Sequence, residues 1–295
     1  MTPKILTATA VFSLFLCALF AGSAAGDAAA LNVFVSIPPQ SDFVKAIAGE
    51  HVDVSVMVQP GKSPASYEPT PKQMVNLAKS DIYFAIGVPF ETAWLSKFAD
   101  TNPAMRIVHT EAGLEKKPIH RHQGHHKTDH PPGGIKDPHI WLSPPLVMQQ
   151  ARNILSGLKA VDPPNADDFE QNYKVFIDRL VELDIALMQK FENISNPRFM
   201  VFHPSWGYFA DAYGLDQIAI EIEGKAPKAK DVAALIQTAR QNNITVIFAQ
   251  PQFSNKQAQI IAKEIGGTLV QADPLATDWE TNLRRVASAI KQELN

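Results

Sequence analysis

The chain predicts an α/β protein of two parallel-sheet lobes bridged by one long helix, and three observations carry that expectation. Short apolar runs alternate with longer amphipathic stretches, and this alternation occurs twice over. Between the two sets lies NADDFEQNYKVFIDRLVELDIALMQKFENI, residues 165–194, which contains neither glycine nor proline.

The first set of buried strands is LNVFVSIPP, VDVSVMVQPG, DIYFAIG and RIVHTEAG, and the second is FMVFHPSWG, QIAIEIEG, TVIFAQPQF and GTLVQADPL. Each run is short and ends at Gly, Pro or polar residues, the signature of strands covered on both faces. Helical periodicity is expected over 41–48, 72–79, 146–158, 205–213, 230–241, 256–264 and 279–294. The intervening 165–194 stretch opens after Pro163-Pro164 and carries Asp167, Asp168 and Glu170 in its first turns, where the helix dipole favours acids. Its thirty residues, at about 1.5 Å each, would span about 45 Å, suited to crossing both lobes. The expected organisation is therefore a leader over 1–30, a first lobe over 31–160, a linking helix over 161–196 and a second lobe over 197–295.

The leader reading rests on Lys4, the uncharged apolar run 5–20 and the small-residue tail AGSAAGDAAA, with Ala28-Ala29-Ala30 as a cleavage signal. An uncleaved membrane anchor is the alternative, because the run approaches the roughly 20 residues that span a bilayer. Leu16 before Cys17, inside the apolar run, argues against a lipid anchor. Removing residues 1–30 leaves no cysteine and a net charge still at −3, which gives no basic face for nucleic acid. Any metal chemistry then falls to histidine and carboxylate side chains.

Residues 115–137 differ in kind, being dominated by Lys, His, Gly and Pro, with Ile119 and Ile135 the only aliphatics larger than alanine. The segment holds five of the nine histidines, His120, His122, His125, His126 and His130, and reads as a surface loop, mobile without ligand.

In open α/β sheets, ligands bind beyond the carboxyl ends of strands. His203, Gln250 and Asp273 follow expected strands, Tyr67 and Glu68 stand in the loop SPASYEPTP, and His139 opens IWLSP directly after the histidine-rich segment. Two imidazoles and a carboxylate suit a borderline divalent cation such as zinc. Taken singly, each has a structural reading: His139 and His203 as hydrogen-bonded histidines, Asp273 as a turn residue before Pro274. His51 and His109 read as surface or structural residues.

Five ordered motifs, PGKSPASYEPTPKQM (60–74), DPHIWLSP (137–144), HPSWGYFADAYGL (203–215), QPQFS (250–254) and DPLATDWETNL (273–283), resemble the substrate-binding proteins of zinc and manganese ABC transporters, the ZnuA/TroA-like family. The resemblance implies a metal cleft between the lobes, ligated by His139, His203 and Asp273, and transfer of the ion to a membrane permease. It implies zinc before manganese, because the third ligand position is a histidine. Where the family pattern places its first histidine, this chain has Ala65. A methyl group cannot coordinate, so Glu68, water or a histidine of the 115–137 loop is left to fill the position. Gln250 and Tyr67 are expected behind the ligands, where hydrogen bonds orient them. The resulting expectation is a monomeric periplasmic metal-binding protein and not an enzyme. The alternatives are a zinc buffer or chaperone with a degraded transport site, a manganese-specific binding protein and, in a different class, a zinc hydrolase, for which neither H-E-x-x-H nor G-x-S-x-G is present.

Overall fold

The computed structural model describes residues 30–119, 136–221 and 225–294. The first sheet contains β1 (Leu31–Val35), β2 (Val52–Val56), β3 (Ile82–Ala85) and β4 (Arg106–His109), all parallel in the order β2-β1-β3-β4. The second contains β5 (Arg198–Val201), β6 (Asp216–Ala219), β7 (Val246–Ala249) and β8 (Thr268–Gln271), parallel in the order β6-β5-β7-β8. The two sheets thus share one topology, each reversing direction beside its first strand, where loops converge. All eight expected strands are present.

The helices are α1 (Pro38–Ala48), α2 (Pro71–Leu77), α3 (Glu91–Thr101), α4 (Pro144–Val161), α5 (Ala166–Lys190), α6 (Gly207–Ala212), α7 (Ala229–Gln241), α8 (Lys256–Glu264) and α9 (Trp279–Glu293). The sequence gives good reasons for several starts. Proline occupies the first turn of α1, α2 and α4, where no backbone N–H is needed. Thr70 and Gln73 cap α2 reciprocally, at 3.3 Å to the Gln73 amide and 2.9 Å to the Thr70 amide.

Two helical expectations are corrected. Helix α3 was not anticipated, because Pro89 and a short mixed stretch hide its apolar face, yet Phe98 is buried and packs at 5.2 Å from the Tyr83 ring. The long helix is shorter than thirty residues: α5 has 25, beginning after a 3-10 turn over Pro163–Asn165 and ending at Lys190, with Phe191 as its cap.

Helix α5 buries Phe169, Phe176, Leu180, Leu183 and Leu187, at intervals of seven, four, three and four that form one stripe. Against that stripe the halves of the molecule share a core: Phe43 of α1 lies 6.0 Å from Phe176 and meets Trp279 of α9 edge-on at 5.0 Å. A smaller cluster, with Met200, Ile218, Leu235, Ile247 and Ile261, covers the other side of the second sheet.

Hydrogen bonds reinforce this junction. The Trp141 indole N–H donates to the Pro274 carbonyl at 2.7 Å, and the Trp279 indole N–H donates to the Trp141 carbonyl at 2.7 Å. The Tyr208 hydroxyl accepts from the Lys117 amide at 2.9 Å and donates to the Asp137 carbonyl at 3.2 Å. Burial pushes that phenol up to about 12, so it keeps the proton it donates. Among the described residues no helix is long and apolar enough to cross a membrane. The expected leader lies, but for Ala30, outside them.

Candidate metal centre

Backbone register builds the environment of His203. Strand β5 pairs with β6 so that Val201 faces Ala219, and the bonds Ile220 N to Val201 O and Glu221 N to Phe202 O, each 2.9 Å, carry the pairing past the strand ends. The same offset sets Glu221 beside His203, with Oε2 2.8 Å from Nδ1. On the other flank Val201 faces Phe248 of β7, which brings Gln250 to the opposite side. Its Oε1 accepts from the His203 amide at 3.1 Å and its Nε2 donates to the His203 carbonyl at 2.9 Å. Phe253 stacks on the imidazole at 4.5 Å. Burial lowers the His203 pKa below the usual histidine range, with the Glu221 hydrogen bond opposing and the neighbouring His139 adding to the shift. The ring is therefore neutral at pH 7, the form that binds metal.

His139 arrives on the chain between the histidine-rich segment and α4, and a 3-10 turn over Ile140–Leu142 follows it. Asp137 fixes it: one carboxylate oxygen accepts from the His139 amide at 2.9 Å and lies 2.6 Å from Nδ1. Both groups are buried. The two imidazoles face each other with centroids 5.3 Å apart and planes at 74°. With each Nδ1 held by a carboxylate, Nε2 is the ring nitrogen left without a hydrogen bond among the described residues. Two imidazoles sharing a tetrahedral ion through Nε2, with bonds of about 2.0 to 2.1 Å, would have centroids about 5 Å apart. The observed spacing fits that arrangement.

The other expected residues are placed differently. Asp273 stands two residues past β8, and its Oδ1 accepts from Gln252 Nε2 at 2.7 Å and from the Leu275 amide at 2.9 Å. Among the described residues no group of three or more His, Cys, Asp or Glu side chains is assembled to hold a metal. The structure thus pairs His139 with His203 and leaves Asp273 engaged in its own turn. Tyr67 is buried and donates to Gln73 Oε1 at 2.9 Å, supporting the start of α2. Glu68 and Ala65 are exposed. His120, His122, His125, His126 and His130 lie outside the described residues, but the root of their segment is defined: Pro118 and Lys136 form an antiparallel bridge, and the Asp137 amide donates to the Lys117 carbonyl at 2.8 Å. His51 pairs with Asp168 at 3.2 Å and His109 with Glu111 at 2.9 Å, remote surface contacts in keeping with the roles expected of them.

Sequence reasoning missed the two carboxylates that hold the imidazoles. Asp137 announces itself by local spacing, two residues before His139. Glu221 was legible only through strand pairing, since it stands as far beyond β6 as His203 stands beyond β5.

Comparison with known proteins agrees with this architecture. The family model described as zinc-uptake complex component A periplasmic, ZnuA, matches residues 33–293. The high-affinity zinc uptake system protein ZnuA of Bacillus subtilis (strain 168) is 29% identical over 251 residues, covering 83% of this chain and 78% of that protein. The zinc-binding lipoprotein AdcA of Streptococcus pneumoniae (strain ATCC BAA-255 / R6) is 29% identical over 287 residues, which are 91% of this chain but 55% of AdcA, so the chain spans about half the length of that relative. A crystal structure of ZnuA superposes with a TM-score of 0.84 at 41% identity, covering 90% of this chain and 100% of the other. A ZnuA deletion mutant solved with zinc bound gives 0.82 at 40% identity, covering 90% and 98%. With the family model matching from β1 to the end of α9, the chain belongs to the ZnuA family, whose members are extracytoplasmic solute-binding proteins and not enzymes.

Proposed function

We propose that this protein captures zinc between His139 and His203 and delivers it to the membrane permease of an ABC transporter. The observation that carries the reading is the pair of imidazoles 5.3 Å apart, each with its Nδ1 already engaged by a carboxylate. Nitrogen donors on both sides favour zinc over manganese, which prefers oxygen. A manganese-bound periplasmic metal-binding protein from candidatus Liberibacter asiaticus shares the fold at 20% identity. Asp273 serves as the third ligand if its free oxygen turns toward the ion, and Gln250 holds the His203 backbone behind it.

Ala65 supplies no donor from the first loop, so one coordination position falls to water, Glu68 or an imidazole of the histidine-rich segment. The segment is rooted two residues before His139, which suits it to gathering zinc at the mouth of the site. Export through a cleaved leader over 1–30, a periplasmic location and a monomeric state complete the proposal, with no nucleic-acid partner. One observation favours a second reading, a zinc buffer or chaperone without transport duty: the same Ala65 weakens retention.

Metal analysis of purified, dialysed protein tests the proposal. About one zinc per chain is expected, with added zinc raising the unfolding temperature. Fewer than about 0.2 zinc per chain together with no thermal protection would refute it.

A further inference from the structure

We infer that Glu221 is a positioning residue for the metal centre: it holds His203 in the Nδ1–H form, turns Nε2 toward the ion, and as a carboxylate acceptor behind the ring strengthens Nε2 as a donor. The inference rests on the proposed binding of zinc at His139 and His203 and adds a residue to which neither family motif nor sequence pattern gave a role.

Three observations carry it. The Glu221 Oε2 to His203 Nδ1 distance of 2.8 Å is that of a strong hydrogen bond, and with Nδ1–H donating to the carboxylate oxygen, Nε2 is the nitrogen left to bind a metal. Glu221 is placed by strand register, with its amide tied to Phe202 O at 2.9 Å, so the carboxylate is held by the sheet and does not depend on a chance rotamer. Its side chain is only 5% exposed, and among the described residues it pairs with no lysine or arginine. The carboxylate is thereby committed to the imidazole, with no competing side-chain cation among the described residues to draw it from Nδ1.

Asp137 makes the equivalent contact to His139 at 2.6 Å, so the centre has one carboxylate behind each imidazole. Asp137 also accepts from the His139 backbone amide, whereas Glu221 reaches its histidine from a different strand. Glu221 is therefore the better test of positioning, because changing it leaves the local backbone of its histidine intact. Carboxylates in this arrangement raise imidazole basicity, and their loss typically lowers metal affinity about 10–100-fold.

The experiment measures zinc affinity by competition with a chromophoric chelator for the mature chain and for Glu221→Ala, Glu221→Gln and His203→Ala, alongside the unfolding temperature of each metal-free protein. Glu221→Ala should bind zinc about 10–100-fold more weakly. Glu221→Gln should fall between it and the unmodified chain, because the amide oxygen still accepts from Nδ1–H but is a weaker acceptor than a carboxylate. Nitrogen-15 spectra of the metal-free protein should show His203 as the Nδ1–H tautomer in the unmodified chain and in Glu221→Gln, with the Nε2–H form appearing in Glu221→Ala. If Glu221→Ala is too unstable to purify, the isosteric Glu221→Gln decides: affinity within twofold of the unmodified chain overturns the inference. An Nε2–H tautomer in the unmodified protein overturns it as well. Should His203→Ala bind zinc as tightly as the unmodified chain, the proposed site itself fails; should His203→Ala lose zinc while both Glu221 variants keep it, only the role of Glu221 fails.

Discussion

The Trp279 indole nitrogen donates to the Trp141 carbonyl oxygen at 2.7 Å, joining the last helix of the second lobe to the segment that carries His139. Both rings are almost fully buried, and Trp141 in turn donates to Pro274, the residue after Asp273. The segment that carries His139 is thus bonded both to the loop that carries Asp273 and to the start of α9. Trp279→Phe leaves a buried carbonyl unpaired and should cost about 1–3 kcal/mol. In thermal unfolding the protein should keep one cooperative transition at a temperature lowered by several degrees; two separate transitions in the unmodified chain would contradict a shared core.

Replacing either imidazole should abolish the stabilisation by zinc. At a zinc concentration about 100 times the dissociation constant, the unmodified protein should gain about 2.7 kcal/mol. His139→Ala and His203→Ala should each show almost none of that gain, as followed by denaturant titration with and without zinc.

Ala65→His restores a donor where the family pattern has one. If the position is filled only by water, zinc should bind at least about tenfold more tightly to this variant, by chelator competition, in keeping with a gain of about 1.4 kcal/mol. Unchanged affinity would mean that a side chain of this protein already occupies the position, and would remove the reason for the buffer reading.

Burial raises the carboxyl pKa of Asp42 above its ordinary 3.8, with Arg179 drawing it down and Asp278 and Glu280 pushing it up. The folded chain therefore keeps a proton at pH values where the unfolded chain has released it, and stability from this group falls as pH rises through that window. Asp42→Asn should stabilise the protein at pH 7 by roughly 0.5 kcal/mol, and the gain should shrink as the pH is lowered toward 4. Urea titrations at both pH values check this, and an equal gain at both would refute it.

Removing residues 120–135 and joining the stubs with a short turn should leave the fold and one tight zinc site in place, because Pro118 and Lys136 already meet at the root. Equilibrium dialysis should report fewer zinc ions per chain with the tight component retained. Loss of the tight component would identify a histidine of the segment as the missing ligand.

The strands were legible in the sequence because buried parallel strands are short, continuous apolar runs, and LNVFV, IYFA and VIFA leave little ambiguity. Helix α3 was not, since its burial depends mainly on Phe98 meeting Tyr83, a contact that no local pattern reveals. His139 and His203 stood out through their positions and motifs, and the structure sets their rings edge-on to each other, 5.3 Å apart. Asp273 stood out by the same route, and one of its carboxylate oxygens, Oδ1, is occupied by Gln252 and Leu275. Glu221 escaped notice because its role is a property of two strands in register, and an acid at the end of one run gives no sign of what stands beside it.

The pinned root between Pro118 and Lys136 separates the histidine-rich insert from the scaffold as a cassette is separated from its frame. Doubling the length of a closed loop costs only about 0.6 kcal/mol. The Tyr208 hydroxyl clasps both Lys117 and Asp137, so the root is tied to the scaffold two residues before His139. If the proposed function holds, the number of histidines available to gather zinc can evolve, or be engineered, apart from the pair His139 and His203.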